Sequence, residues 1–381
     1  MHSLRLLVYL LVSPWAGFAQ SYTLPPGSPQ KKSPQYPIAN QFEHLSVKDG
    51  LSNNSVTCIL QDRDDFMWFG TTEGLNKYDG HTFTIFKPDP KQPGRSFRHS
   101  SIRGLCEGPS DQLWVITKGG GLHEVNRKTG VVTPHPVRAA NAERWNNQNS
   151  VYKDSQDRIW VTSFGGLACY EPARHHFTLF PAPEADASIS AVFEDRQHRF
   201  WVGTVRGLYR LNPKTGRFTP VPVAGIAGSQ PYFDSFYQDS QDRLWLGTAT
   251  EGYSLFRLNL RQQPWQLIPY NPAGKLSPYV WRNSIHQDST GLVWAGTTNG
   301  LYAIDPVKDE VVAYSTDPNQ ARSLSSSNAQ AIYHDRSNAL WVGTDNGIDR
   351  QGVNTKPFQT YRLTPNERMA NIPRNRVKAL Y

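Results

Sequence analysis

The chain has 381 residues, 38% hydrophobic and 12% aromatic, with 29 Gly and 28 Pro. That profile suits many short strands joined by tight turns and excludes a helical protein, because no stretch keeps a 3.6-residue apolar period. The net charge of +8 is gathered into no Lys/Arg run, which argues against nucleic acid as a partner but leaves an acidic ligand open.

Residues 1–19 have the pattern of a signal peptide. His2 and Arg5 make a basic start, LRLLVYLLV a short apolar core, and Gly17-Phe18-Ala19 put small residues before a cleavage at Gln20. The apolar run is too short to span a bilayer, so an exported, periplasmic protein is expected, with an uncleaved anchor as the alternative. Residues 20–41 are Pro-rich and without periodicity, as in an extended tether.

From residue 51 onward one unit returns seven times. Its fullest copy is QDSQDRLWLGTATEGYSLFRLN (238–259), and aligning on Trp245 brings Trp68, Trp114, Trp160, Trp201, Trp294 and Trp341 into register. The intervals run from 41 to 49 residues, the length of one blade of a β-propeller. The expected fold is all-β: a seven-bladed β-propeller of four-stranded antiparallel blades over residues 42–365, with the start of an eighth repeat at 366–381. NRVKALY (375–381) resembles that opening, and in its register the next Trp falls past the last residue.

Each repeat opens on an inner strand, at 55–62, 101–107, 150–154, 189–195, 232–239, 283–288 and 329–335. Asp stands six residues before the Trp in six copies (Asp62, Asp154, Asp195, Asp239, Asp288, Asp335), with Gly108 in the second. Three residues before it stand Asp65, Asp111, Asp157, His198, Asp242, Gly291 and Asn338, types that suit a turn needing positive φ and side-chain-to-backbone bonds. Gly-Thr follows the Trp in five copies, Gly70-Thr71 being the first, and a strand glycine there predicts close approach of the adjacent blade. The outer strands begin on an aromatic or Val: FTIF, FTLF, FTPV, WQLI from Trp265, VVAY and FQTY (358–361). FEHLSV (42–47) carries the same pattern. It is the expected fourth strand of the blade bearing Trp341, beside 347–350, with 358–363 as competitor.

The seven repeat tryptophans are expected to fill the gaps between blades. Cys58, Cys106 and Cys169 fall in separate blades and read as small buried residues. The repeated Asp residues lie one per blade around a ring, so turn capping explains them better than calcium, which needs converging oxygens. DSQDRIW (154–160) and DSQDRLW (239–245) resemble the Asp-box turns of sialidases, which are structural there. The arginine cluster and Tyr nucleophile of that chemistry cannot be assembled here, and no nucleophile elbow, phosphate loop or zinc motif appears. No catalytic residue, metal or cofactor is expected.

The candidate ligand residues sit in the outer-to-inner connections, which open on one end of the axial channel. Trp145 has Asn146 and Asn147 beside it, and Trp281 has Arg282 and Asn283. Arg98, His99 and Tyr232 hold comparable places, and Arg206 lies in a loop after a Trp strand. An aromatic face against sugar C–H groups, with amides and guanidiniums for hydroxyls or a uronate carboxylate, is the chemistry of an oligosaccharide site. Packing against neighbouring loops or a second propeller is the alternative.

QDRDDFMWFGTTEGLNKYDGHTFTIFKPDP (61–90) and STDPNQARSLSSSNAQAIYHDRSNALWVGTDNGIDR (315–350) resemble the two-component regulator propeller repeat, and the resemblance runs over residues 42–381. It implies the periplasmic sensor of a hybrid two-component system. In that family two seven-bladed propellers precede a β-sandwich domain, a membrane helix, a histidine kinase, a receiver and a helix-turn-helix module, and such proteins resemble sugar sensors for polysaccharide-utilisation genes. The resemblance thus implies an oligosaccharide ligand, and as partners a second propeller and a membrane-anchored kinase part. On that pattern the chain is expected to be the N-terminal part of a longer sensor, or a truncated product. Two other readings stay open: a structural or protein-interaction propeller that docks a partner or forms a homodimer, and a propeller glycan hydrolase or lyase.

Overall fold

A computed structural model describes residues 42–351 apart from 185–186, 223–230, 251–252, 272–275 and 277–278. The signal segment 1–19, the tether 20–41, the strand motif at 358–361 and the repeat opening at 366–381 lie outside the described residues. The strands form seven four-stranded antiparallel sheets, each running inner to outer. Blades 1 to 7 are numbered by their inner strands: Val56–Gln61, Ile102–Glu107, Gln148–Lys153, Ile189–Glu194, Phe233–Gln238, Val280–Gln287 and Ala329–His334. Each inner strand packs beside the next and the seventh beside the first, so the ring is closed.

Closure uses the start of the propeller to finish its end. Phe42–Leu45 pairs antiparallel with Gly347–Gln351, with Phe42 opposite Gln351 and Leu45 opposite Ile348. Phe42 is buried in the core shared by blades 6 and 7, and its N–H donates to Arg322 O at 2.9 Å. The outer-strand pattern of 42–47 therefore predicts its partner correctly. Without it the last blade would carry an open edge, a template for unwanted pairing.

The repeat tryptophans are buried, as expected, and their repeat Asp does more than cap a turn. In six blades the indole Nε1 donates to Asp Oδ2 at 2.7–2.8 Å. The other carboxylate oxygen accepts backbone N–H groups two and four residues on, as Asp154 Oδ1 does from Gln156 and Arg158, both at 2.9 Å. One side chain thus shapes the turn and satisfies an indole donor that would cost about 1–3 kcal/mol buried and unpaired. Positive φ falls three residues before the Trp in the same six blades, from 58° at His198 to 98° at Gly291. Blade 2 departs: with Gly108 in the Asp position its turn shifts, and Ser110 rather than Asp111 takes positive φ, at 56°.

Neighbouring blades are bolted at the same turn. The residue after the repeat Asp donates its N–H to a side chain of the next blade: Arg63 to Glu107, Ser155 to Glu194, Arg196 to Gln238, Ser240 to Gln287, Ser289 to Asn338 and Arg336 to Gln61. At the blade 2–3 seam Pro109 has no N–H and Lys153 no acceptor, so that bond cannot form. The strand glycines behave as predicted. A Cβ on Gly203 would stand 2.1 Å from Phe233 O of the next blade.

Two strand assignments change. The outer strand of blade 5 is Leu267–Pro269, so Trp265 precedes it and packs edge-on against Trp201 of blade 4, ring centroids 5.2 Å apart. The inner strand of blade 6 starts at Val280, which brings Trp281, Arg282 and Asn283 into a strand instead of a connection. Cys106 and Cys169 are buried and Cys58 half-buried; all three thiols are free, and burial pushes each up to about 12.

Candidate ligand site at the channel mouth

Every blade carries an irregularity near the start of its inner strand. In blade 1, Val56 faces Thr71 and Cys58 faces Gly70, so Thr57 bulges between them. The same slip extrudes Arg103, Asn149, Ser190, Asp234 and Gln330 in blades 2, 3, 4, 5 and 7. A bulge re-aims the side chain it extrudes, and all six of these are polar. In blade 6 the slip widens to span Val280 to Ile285, and Asn283 within it takes φ 54°.

Three of the bulged residues have a structural task. Thr57 Oγ1 donates to Ile102 O at 2.7 Å, Asn149 Nδ2 to Ile189 O at 3.1 Å, and Ser190 Oγ to Phe233 O, each tying its blade to the next. Arg103, Asp234 and the blade 6 bulge are not used this way. Arg103, Trp281, Arg282 and Asn283 share a cavity of about 240 Å³ with Thr57 and Gln330, four blades meeting at one mouth of the channel.

Arg282 crosses that mouth. Its Nη1 donates to Asn149 O of blade 3 at 2.9 Å and its Nη2 to Tyr232 Oη at 3.2 Å, while its Nε is buried without an acceptor. Trp281 is half-buried and held in place: its Nε1 donates to Asn328 Oδ1 at 2.8 Å, and Tyr279 meets its ring edge-on at 4.8 Å. Asp234 is wholly buried, with Oδ2 3.5 Å from Tyr279 Oη and Oδ1 unpartnered. Burial lifts its carboxyl to about 6 against the opposing pull of Arg282. Burial, then the charge of Arg282, also holds Arg103 below the ordinary arginine range.

Of the residues expected at the site, the structure brings together Trp281, Arg282, Asn283 and Tyr232. Tyr232 meets the cavity only through Arg282, and the other six do not line it. Trp145 is 8% exposed on a short helix, Ala142–Asn146, packed into the core between blades 2 and 3. The Asn146 amide ties that helix to Val137 N and O, and Asn147 ends it. Arg98 and His99 are exposed in the connection into blade 2, and Arg206 pairs with Glu184 at 3.3 Å. Arg103, Thr57, Gln330 and Asp234 were missed. Their signal was a polar residue recurring one place after the first apolar residue of the inner strands.

The closed ring of seven four-stranded sheets is a seven-bladed β-propeller, with the polar bulges of its inner strands at one mouth. Three of its repeats, at residues 50–73, 227–250 and 323–346, match the sequence model of the two-component regulator propeller. A 50-residue stretch, 13% of this chain, is 48% identical to histidine kinase P4 of Formosa agariphila, of which it covers 4%. The fold is similar to the extracellular domain of hybrid two component system BT3049 from B. thetaiotaomicron, with TM-score 0.69 and 24% identity over 82% of this chain and 41% of that one. A streptogramin B lyase shares the fold at TM-score 0.64 and 13% identity, over 82% of this chain and 97% of the lyase. The chain thus spans less than half the length of the two-component proteins it matches.

Proposed function

We propose that this propeller is an exported, periplasmic sensing domain of a hybrid two-component regulator, reading an oligosaccharide at the channel mouth and controlling a histidine kinase. The observation that carries this reading is the cluster of Trp281, Arg282, Arg103 and Asn283 around one cavity, built by a bulge wider than that of any other blade. The signal-peptide pattern of residues 1–19 supports export, and the family of the repeats supports the kinase. No catalytic role is assigned; Asp234, whose carboxyl feels the charge of Arg282, is wholly buried. A docking propeller is the second reading. It is favoured by Phe164 and Val205, 43% and 39% exposed at equivalent positions of adjacent blades.

The test is thermal shift and calorimetry against a panel of plant and algal oligosaccharides. A ligand that binds wild type but not Trp281→Ala, with the fold intact, supports the sensing reading. Binding unaffected by Trp281→Ala removes the mouth from it, and loss of a protein partner on Phe164→Ser favours docking.

A further inference from the structure

Arg103 and Arg282 differ from the arginines that pair with the repeat Asp residues. Arg158, Arg199 and Arg243 each have Nε 2.6 Å from the repeat Asp of their own blade, and buried Arg127 lies 3.1 Å from Asp62. Arg103 and Arg282 have no carboxylate within 4.0 Å among the described residues, although they share one small cavity. Burial first, and then the charge of Arg282, lower the proton affinity of Arg103. Like charges brought together without a paired carboxylate are costly. They fit a site whose ligand supplies the missing charge.

We propose that the mouth selects an acidic sugar, with a uronate carboxylate held between Arg103 and Arg282. This rests on the reading of the mouth as the ligand site. Arg282 is set in advance by Asn149 O and Tyr232 Oη, so little ordering remains when an anion arrives. Arg103, with no hydrogen bond to a described residue, is free to complete the grip. A planar carboxylate matches guanidinium donors two at a time, which a sugar hydroxyl cannot do. Trp281 borders the same cavity, where the C–H side of the sugar ring would rest. A volume of about 240 Å³ falls below the roughly 300–1,000 Å³ of sites for drug-sized ligands. It therefore takes one sugar residue, and the rest of the oligosaccharide lies outside. Asp234 is not part of the cavity wall.

The experiment is calorimetry of the full chain with oligomers of galacturonate, mannuronate, guluronate and glucuronate. Methyl-esterified galacturonate oligomers, neutral galactan, xylan and glucan oligomers, and sulfated carrageenan oligomers are run beside them. Binding of a uronate oligomer that weakens about ten- to a hundredfold in Arg103→Gln and in Arg282→Gln is the expected result. Arg103→Gln is the more telling variant, since Arg103 ties no strand together. A preference for a neutral or esterified oligomer that Trp281→Ala abolishes overturns the acidic assignment and leaves the mouth as the site. Binding of a uronate that ignores Trp281→Ala and both arginine variants overturns both. Response to sulfated oligomers alone assigns the charge to a sulfate ester and overturns the carboxylate. No response to any oligomer overturns the acidic-sugar assignment as well.

Discussion

The indole N–H of Trp114 has no acceptor, because Gly108 stands where Asp serves the other six repeat tryptophans. The ring has closed into the vacated space: a Cβ on Gly108 would lie 2.5 Å from Trp114 Nε1. Blade 2 therefore buries the same aromatic surface as its neighbours while leaving one polar atom unsatisfied.

Trp114→Phe and Trp245→Phe should differ for that reason. Both lose part of an indole, but only Trp245→Phe removes a made bond, to Asp239 Oδ2 at 2.8 Å. Urea unfolding should show Trp245→Phe costing about 1–2 kcal/mol more than Trp114→Phe. Equal costs would mean that the Asp–Trp bond adds nothing to the blade.

The seam between blades 2 and 3 lacks the turn bond found at the other six. Pro109→Ser with Lys153→Glu copies the Ser155–Glu194 pairing of the next seam, where N···Oε2 is 2.7 Å. The double variant should gain about 1 kcal/mol over the sum of the two single variants in a double-mutant cycle. No coupling between the positions would show that the seam is held by other means.

Ring closure by residues 42–45 predicts a large effect from few atoms. Phe42→Ala should cost about 3 kcal/mol, and deletion of residues 20–50 should lower the melting temperature further and promote aggregation. A melting temperature unchanged by the deletion would transfer the closing role to residues 358–363.

Asp234 gives stability a pH dependence of unusual sign for a carboxylate. Its folded value, lifted to about 6, lies above the ordinary range, so the ionised form opposes folding. The penalty, about 3 kcal/mol, is complete above pH 6 and fades as pH falls toward 4. Asp234→Asn should therefore stabilise the ligand-free protein at pH 7.5 and lose that advantage by pH 4. Thermal melts at the two pH values measure it, and an equal advantage at both would mean that charge is not the cause.

The number of blades, their strand order, the buried tryptophans and the closing role of residues 42–45 were legible in the sequence. Repetition makes them so: a blade cannot bury its own faces, so each copy needs the same apolar and turn residues at the same places. Half of the mouth was legible too, since Trp281 and Arg282 interrupt the repeat. What tertiary structure alone decided is which deviations meet. Arg103 and Arg282 are 179 residues apart in sequence and share a cavity only because blades 1, 2, 6 and 7 border the same side of a closed ring. Trp145, with the same local composition as Trp281, is drawn into the core because the one-residue bulge of blade 3 leaves it on a helix before the inner strand. Composition names the chemistry a residue can do, and the register of a bulge decides whether it faces the channel or the core.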